Sequence, residues 1–267
     1  MRVALIVLAL FGAAMAASSR SVNRIVGGTD AAIEQYPFMA NMEYSELGVS
    51  WNQLCGGTLL TSTSVLSVAS CYMYNAPNQW RVRLGTAEKS GGQLRPTSNI
   101  IIHPNYVDRT LDNDISIIKL AVPATWSNTI GTARISGTGY NLMDGTTVTA
   151  VGWGSLSIYG AYSAVLQHVD INTINQELCV ERYEYLKTLP GSTHFPLSVT
   201  DGMICAGILD EGGKSACFGD YGGPILHNGD VIIGVMSWSF NCAMPLYPTV
   251  STRVSYFSDW IIQNAST

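Results

Sequence analysis

The sequence predicts an all-β protein, built as a sandwich or barrel, with one helix at its carboxyl end. Short apolar or alternating runs recur along the chain and are separated by Gly, Asn, Pro and Ser, which is typical of antiparallel sheets rather than of alternating strands and helices. Asn228-Gly229 lies between two apolar runs and predicts a tight hairpin. The predicted helix rests on apolar residues at helical spacing, namely Val254, Phe257, Trp260 and Ile261.

Seven runs along the chain are the predicted strands, in the order 56–60, 65–69, 80–84, 115–120, 146–153, 165–171 and 224–237. A connection rich in Ser, Thr and Gly at 124–139 marks a soft boundary midway. The length of 267 residues suits one large domain or two small ones with a substantial core. An apolar fraction of 47% excludes wholesale disorder.

The charge balance argues against two classes of partner. Fourteen basic residues against 19 acidic ones give a net charge of −5, so no basic excess exists to neutralise nucleic-acid phosphates. A polybasic membrane-binding patch is also not expected, because the chain has so few lysines: Lys89, Lys119, Lys187 and Lys214. We therefore predict neither a nucleic-acid partner nor a membrane partner.

The first residues predict an export signal. Arg2 precedes an apolar run at 3–17 that ends in Ala14-Met15-Ala16, the pattern of a secretory signal peptide with a small-residue cleavage site. The run is shorter than the ~20 residues that a bilayer crossing needs. We predict a signal peptide at 1–16 and a secreted, extracellular protein.

The cysteines are informative once export is assumed. The set is even and lacks a Cys-x-x-Cys pair, so disulfides are favoured over a zinc site. Spacing alone leaves about 15 pairings open. The six cysteines are Cys55, Cys71, Cys179, Cys205, Cys217 and Cys242.

A series of motifs follows one another along the chain. They are Arg24-Ile25-Val26-Gly27-Gly28, Cys55-Gly56-Gly57-Thr58, Val65-Leu66-Ser67-Val68-Ala69-Ser70-Cys71, Asp112-Asn113-Asp114-Ile115, Val151-Gly152-Trp153-Gly154, Met203-Ile204-Cys205-Ala206-Gly207, Gly219-Asp220-Tyr221-Gly222-Gly223-Pro224 and Ser237-Trp238. In this order they resemble the trypsin/chymotrypsin-like serine proteases, and among these the insect digestive trypsin-like proteins. The resemblance covers the chain from Ile25 to its end.

The resemblance implies both a fold and a set of covalent links. The fold would be two six-stranded antiparallel β-barrels, the first at about 25–135 and the second, with a C-terminal helix, at about 136–267. The implied disulfides are Cys55–Cys71, Cys179–Cys205 and Cys217–Cys242. Cleavage after Arg24 would remove a short propeptide at 17–24 and let the new amino terminus of Ile25 pair with Asp220, as in a zymogen.

Two of the three catalytic positions depart from the family. Ser70 stands where the family has the histidine that takes the proton from the nucleophile, and Tyr221 stands in place of the nucleophilic serine. Only Asp114 matches. A serine cannot act as a base near neutral pH, and a phenol with an ordinary pKa of about 10 is then almost wholly protonated. The four histidines lie outside catalytic motifs and read as ordinary residues: His103, His168, His194 and His227.

These departures predict a pseudoprotease, although the backbone amides of Gly219 and Tyr221 match the family's oxyanion hole. The prediction is a monomeric, secreted, inactive homologue that binds proteins or peptides as a regulator or decoy, with protease inhibitors and proteases as candidate partners. The gut lumen is one candidate compartment. The alternative is an active endopeptidase that uses a Tyr221 phenolate at alkaline pH, and a third class is a storage or structural protein that inherits the fold.

Remaining positions concern specificity and ligands. Ser215 aligns with the base of the specificity pocket, where trypsins carry an aspartate, and Ser239 and Thr249 replace wall glycines, so small apolar groups are the expected occupants. Asn264-Ala265-Ser266 is a candidate glycosylation sequence. Glu88 stands alone where calcium-binding relatives carry several carboxylates, so we predict no metal site and no cofactor.

Overall fold

The computed structural model describes residues 26–192 and 195–266. The predicted signal peptide and propeptide, the cleavage residues Arg24 and Ile25, and His194 lie outside the described residues, so what was predicted for them stays a prediction. Among the described residues, no helix combines the length and the apolar character needed to cross a membrane.

Strands dominate the described part of the chain. They are β1 (Thr29–Asp30), β2 (Met39–Tyr44), β3 (Asn52–Thr61), β4 (Ser64–Ser67), β5 (Trp80–Leu84), β6 (Gln93–Ile102), β7 (Ser116–Leu120), β8 (Arg134–Ile135), β9 (Thr147–Gly152), β10 (Gln167–Ile174), β11 (Met203–Gly207), β12 (Pro224–His227), β13 (Val231–Trp238) and β14 (Thr249–Arg253). The helices are α1 (Gln176–Thr188) and α2 (Val254–Ala265), with short 3-10 turns at Ile33–Gln35 and Pro77–Gln79.

The strands form two closed barrels. The first has the order β2-β3-β4-β7-β6-β5, and the second has the order β9-β10-β11-β14-β13-β12, closed by pairing of β12 with β9. β1 pairs with β10, and β8 pairs with β13 outside this ring. The predicted fold of two six-stranded antiparallel barrels with a C-terminal helix is confirmed. Closure leaves few unpaired strand edges, which suits a chain whose strands alternate inward and outward residues.

Local sequence explains the hairpin of the second barrel but does not predict helix α1. Asn228 (φ 51°) and Gly229 (φ 84°) both take the left-handed conformation between β12 and β13, as the predicted tight hairpin requires. Helix α1 was not predicted. It buries only a narrow stripe formed by Cys179, Tyr183 and Leu186, so it lacks a wide apolar face.

One apolar cluster joins the two barrels to α2. It includes Leu66 of the first barrel, Leu226 of the second, and Val254, Phe257 and Ile261 of α2. Because this cluster includes residues of both barrels and of α2, it fixes the position of one barrel relative to the other. Three disulfides add covalent links with the pairing that the resemblance implies, namely Cys55–Cys71, Cys179–Cys205 and Cys217–Cys242.

Candidate active site

A cleft of about 450 Å³ brings residues of both barrels together. From the first half of the chain, its lining consists of Leu54, Cys55, Ser70, Cys71 and Leu111. From the second half, it consists of Tyr162, Phe218, Gly219, Tyr221, Ser237, Trp238 and Ser239. The cleft therefore contains residues from four of the motif segments, those around Cys55, Ser70, Tyr221 and Ser237, although these lie far apart along the chain.

The turn that carries Tyr221 is held by backbone contacts and by glycine. The amide of Gly56 in β3 donates to the Tyr221 carbonyl at 2.7 Å, so the first barrel fixes a turn of the second. The amide of Gly222 donates to the carbonyl of Met236 in β13 at 2.8 Å. Gly219 and Gly222 have φ of 90° and 83°, a region that side chains with a Cβ rarely adopt. The backbone of this turn is therefore well defined.

We expect Gly222→Ala to destabilise the protein more than Gly139→Ala does. Both glycines have nearly the same positive φ, 83° and 82°. A Cβ on Gly222 would collide with the Ser67 hydroxyl and the Gly56 carbonyl, whereas nothing lies within 4 Å of a Cβ on Gly139. Backbone strain alone costs about 1–3 kcal/mol, so the Gly222 variant should lose clearly more than that. Urea unfolding measures the difference, and equal losses would contradict this account of the turn.

The two predicted oxyanion-hole amides are available. Among the described residues, neither the Gly219 amide nor the Tyr221 amide donates a hydrogen bond to another group of the protein. The Gly219 carbonyl is fixed by the side-chain amide of Gln53, at 2.6 Å, and the Tyr162 ring packs against Gly219. Unengaged backbone donors at the wall of a cleft can stabilise the negative oxygen that develops when a carbonyl is attacked.

The Tyr221 side chain is half-buried in the cleft. Its ring lies edge-on to Phe218, with 6.3 Å between the ring centroids. Burial, and then the negative charge of Asp220, raise the pKa of the Tyr221 phenol to about 12, while Ser239 acts in the opposite direction. No hydrogen bond within the described residues joins the phenol to Asp114 or Ser70. Tyr221 therefore takes the nucleophile's position without a proton-accepting partner from the family's relay.

Asp114 is buried directly behind Ser70. It precedes β7 and follows Asn113, whose φ of 55° is tolerated by asparagine. The Ser70 amide donates to Oδ1 at 2.7 Å, the Ser70 hydroxyl to Oδ2 at 2.9 Å, and the Ser237 hydroxyl to Oδ2 at 2.6 Å. Burial raises the pKa of Asp114 to about 6, although the bonds from Ser237 and Ser70 lower it.

Asp220 points away from solvent into the second barrel. The amides of Gly154 and Cys217 donate to its two carboxylate oxygens at 2.7 and 3.0 Å. Burial raises the pKa of Asp220 to about 7, and the two amides only partly offset this. Because Ile25 lies outside the described residues, its pairing with Asp220 stays a prediction. Val26, the first described residue, lies near the segment that leads to Asp220, because its carbonyl accepts a hydrogen bond from the Ser215 amide at 3.2 Å.

The three predicted pocket residues differ in their placement. Ser239 lines the cleft. Ser215 and Thr249 are buried and are not among the residues that line it. The Ser215 hydroxyl donates to the Ala216 carbonyl at 2.7 Å and accepts from the Ala243 amide at 2.6 Å. The small apolar specificity that was expected from these residues stays a prediction.

Three of the histidines lie outside the cleft lining. His168 forms a hydrogen bond with the Tyr36 hydroxyl at 2.7 Å, and His227 forms one with the Tyr140 hydroxyl at 2.8 Å. The His103 ring lies edge-on to Phe257 of α2, with 5.2 Å between the ring centroids. No group of three or more metal-ligating side chains occurs in residues 26–192 or 195–266. The Asn264 side chain donates to a carbonyl within α2, and its glycosylation stays a prediction.

Sequence reasoning missed several residues of the cleft. Ser237 belongs to the Ser237-Trp238 motif, but its hydrogen bond to Asp114 spans 123 positions and has no local signal. Phe218, Tyr162 and Leu111 carry no motif signal, because a partly exposed apolar side chain in a loop is unremarkable until its neighbours are known.

The paired barrels, and the cleft in which their motif segments meet, define a chymotrypsin-like fold. Residues 25–261 match the family model described as trypsin, and the chain belongs to the trypsin family. It is 44% identical to Trypsin CFT-1 of Choristoneura fumiferana over 99% of this chain and 100% of that protein. It is 43% identical to Trypsin, alkaline C of Manduca sexta over the same shares, and 32% identical to a vitellin-degrading protease of Bombyx mori over 97% and 93%.

These relatives correct the predicted function. The prediction of an inactive, ligand-binding homologue that is not an enzyme is wrong, because proteins 44% and 43% identical over their full length are named trypsins. The reasoning failed because the absence of His and Ser from two positions excludes only the histidine-based route. Acyl transfer can use another oxygen nucleophile together with donors for the oxyanion, and the cleft retains hydroxyl groups and two unengaged amides. The disulfides and the family support an extracellular location.

Proposed function

We propose that the protein is an active, secreted hydrolase of the trypsin family, an endopeptidase that uses the Tyr221 phenolate at alkaline pH. The observation that carries the proposal is that Tyr221 lines the same cleft as the unengaged amides of Gly219 and Tyr221 itself. Tyr221 thus places an oxygen nucleophile beside donors suited to a developing oxyanion.

The reaction proceeds through an aryl ester. The phenolate oxygen attacks the substrate carbonyl, and the Gly219 and Tyr221 amides donate to the resulting oxyanion. Collapse of this intermediate breaks the bond to the leaving group, which takes a proton from water. Hydroxide then attacks the tyrosyl ester, releases the acid and regenerates the phenolate.

The pKa of about 12 determines where this chemistry operates. Only the phenolate is nucleophilic, so its fraction, and with it the rate, rises about tenfold for each pH unit below the pKa. The proposal therefore requires an alkaline compartment, of which the gut lumen is the one we favour. The Manduca sexta relatives named Trypsin, alkaline A, B and C support an alkaline setting.

Two features predict the substrate class: the lack of a described acid for the leaving group, and the side chains at the predicted pocket positions. None of the described histidines lines the cleft to protonate the leaving group, so esters should react faster than peptides, whose amine is the poorer leaving group. Ser215 carries no charge and Thr249 is bulkier than glycine, so bonds beside small apolar side chains are preferred over those beside Arg or Lys. We propose that the enzyme works as a monomer on proteins and peptides.

Removing the Tyr221 hydroxyl should abolish the alkaline activity. After the rate without protein has been subtracted, we expect the cleaved wild-type protein to hydrolyse peptide esters at a rate that climbs about tenfold per unit between pH 9 and 11, and Tyr221→Phe to lack this climb. The matched control is Tyr159→Phe, because Tyr159 is 98% exposed and does not line the cleft. Initial rates against pH provide the measurement. A climb that persists in Tyr221→Phe, or none in the wild type, would overturn the proposal.

A further inference from the structure

Ser70 and Asp114 form a hydroxyl–carboxylate pair at the wall of the cleft. The Ser70 hydroxyl donates to Asp114 Oδ2 at 2.9 Å, and the Ser70 amide holds Oδ1 at 2.7 Å. Ser70 lines the cleft, whereas Asp114 is buried behind it. A substrate in the cleft can therefore approach the hydroxyl but not the carboxylate.

The surrounding residues hold the carboxylate in this orientation. The Ser237 hydroxyl donates to Oδ2 at 2.6 Å, and the Thr252 hydroxyl donates to the Asp114 backbone carbonyl at 2.5 Å. A carboxylate fixed by several donors, with one of them a hydroxyl that faces a cleft, has the arrangement of a general base hydrogen-bonded to a nucleophile.

We propose that Ser70 is a second nucleophile in the cleft, activated by Asp114 as general base, and that this pair hydrolyses short-chain esters near neutral pH. The inference rests on the proposed function in one respect, since both assume that the cleft binds acyl substrates. It differs in the nucleophile, the base and the pH range.

Ser70, Asp114 and water supply every group that the ester hydrolysis needs. The Ser70 oxygen attacks the ester carbonyl while its proton passes along the existing hydrogen bond to Asp114 Oδ2. The tetrahedral intermediate collapses, and the alcohol leaves with the proton that Asp114 returns. Water then attacks the seryl ester, its proton passes to Asp114 and from there to Ser70, and the acid is released.

The walls of the cleft select the substrate class. Ser70 has a shorter side chain than the family's histidine, so the carbonyl must come deeper to meet the hydroxyl. Leu54, Leu111, Phe218 and Trp238 line the approach and favour an apolar acyl group. A short acyl chain can enter where a folded polypeptide segment cannot, which is the reason for assigning esters to this pair.

The electrostatic surroundings are consistent with a base that works near neutral pH. Burial raises the pKa of Asp114 to about 6, so the carboxylate is charged at pH 7 and more basic than an ordinary one. The titratable groups that respond to its charge are Tyr72 and Tyr106, whose own pKa values are raised chiefly by burial. Both phenols stay neutral near pH 7, so the pH dependence of the rate in this range reflects the ionisation of Asp114.

Two serine variants test the pair by turnover. We expect wild-type hydrolysis of a short-chain aryl ester to rise through about pH 6 and to level off at pH 7–8, below the range of the Tyr221 climb, and Ser70→Ala to lose at least about 100-fold at pH 7–8. Ser237→Ala removes a donor that lowers the Asp114 pKa and should move the inflection to higher pH. The structural control is Ser116→Ala, a buried hydroxyl bonded to the Val68 carbonyl. An unmoved inflection, or Ser70→Ala at the wild-type rate, would overturn the pair.

Covalent labelling of the wild-type protein needs no variant to fold. A fluorophosphonate probe at pH 7.5, followed by mass spectrometry of the peptides, should place the adduct on Ser70. An adduct on Tyr221 alone would overturn the inference and leave the proposed function standing. An adduct on Ser70 alone, with no alkaline climb in rate, would support the inference and refute the role of Tyr221. No adduct and no turnover at any pH would refute both.

Discussion

Changing Ser70 to His and Tyr221 to Ser in the same molecule is expected to raise ester hydrolysis at pH 7–8 by about 10³-fold over the wild type. The imidazole would stand beside Asp114, whose carboxylate already faces position 70, with 2.9 Å from Oδ2 to the Ser70 hydroxyl. A serine at 221 would bring a small nucleophile to the unengaged amides. Base and nucleophile act as a unit, so the double variant should greatly exceed the product of the single effects.

The single variants provide the matched comparison. Ser70→His removes the Ser70 hydroxyl proposed as a nucleophile and should lose at least about 100-fold at pH 7–8, whereas Tyr221→Ser keeps Ser70 and Asp114 and should stay within about tenfold of the wild type. The double variant should favour small apolar side chains over Arg, because Ser215 is uncharged and Thr249 narrows the pocket. Rates on a panel of peptide esters measure both expectations. Equal gains from a single variant and the double one, or a preference for Arg esters, would contradict this reading of the site.

Removing the Asp220 carboxyl is expected to eliminate the stability that cleavage after Arg24 adds. Cleavage would convert the Ile25 amide into an ammonium, and its burial beside Asp220 would form a pair whose loss costs about 3–5 kcal/mol. The cleaved protein should thus be more stable than the uncleavable Arg24→Gln precursor at pH 7, and Asp220→Asn should make the two alike. Urea unfolding of the four proteins measures this. Asp259→Asn is the control, because Asp259 is exposed on α2.

The pH dependence of that difference has a definite sign. With the two amides as its partners, Asp220 has a pKa of about 7, above the ordinary 3.8. The folded precursor therefore holds an extra proton between about pH 4 and 7, and its free energy of unfolding falls as the pH rises through that window. The ammonium's folded pKa would be raised by the pair, so its contribution is present below the unfolded value and lost in alkali. Equal free energies of unfolding for the precursor and the cleaved protein across pH 5–9 would refute the pairing of the new amino terminus with Asp220.

The sequence by itself predicts most of the fold. Alternating runs and the Asn228-Gly229 turn are local signals, because pleating and turn geometry depend on adjacent residues. The family motifs add the pairing of the cysteines and the two barrels. Helix α1 escaped prediction because it depends on tertiary contacts of Cys179, Tyr183 and Leu186 rather than on a wide apolar face.

The candidate site divides in the same way. Its residue types at 70, 114, 219 and 221 could be read from motifs, but the inactivity inferred from them was wrong, since the loss of the family's relay was given more weight than the alternative of a Tyr221 phenolate. The remaining cleft residues, such as Ser237 and Phe218, approach one another only through barrel closure.

The sequence determined which groups are available: a phenol at 221, a hydroxyl at 70 and carboxyls at 114 and 220. Only the tertiary structure decided how they behave. Burial raises the pKa of Asp114 to about 6, of Asp220 to about 7 and of Tyr221 to about 12. The hydrogen bond from Ser70 to Asp114 joins residues 44 positions apart. Desolvation and hydrogen bonding arise from neighbours distant along the chain, so no local pattern can specify them.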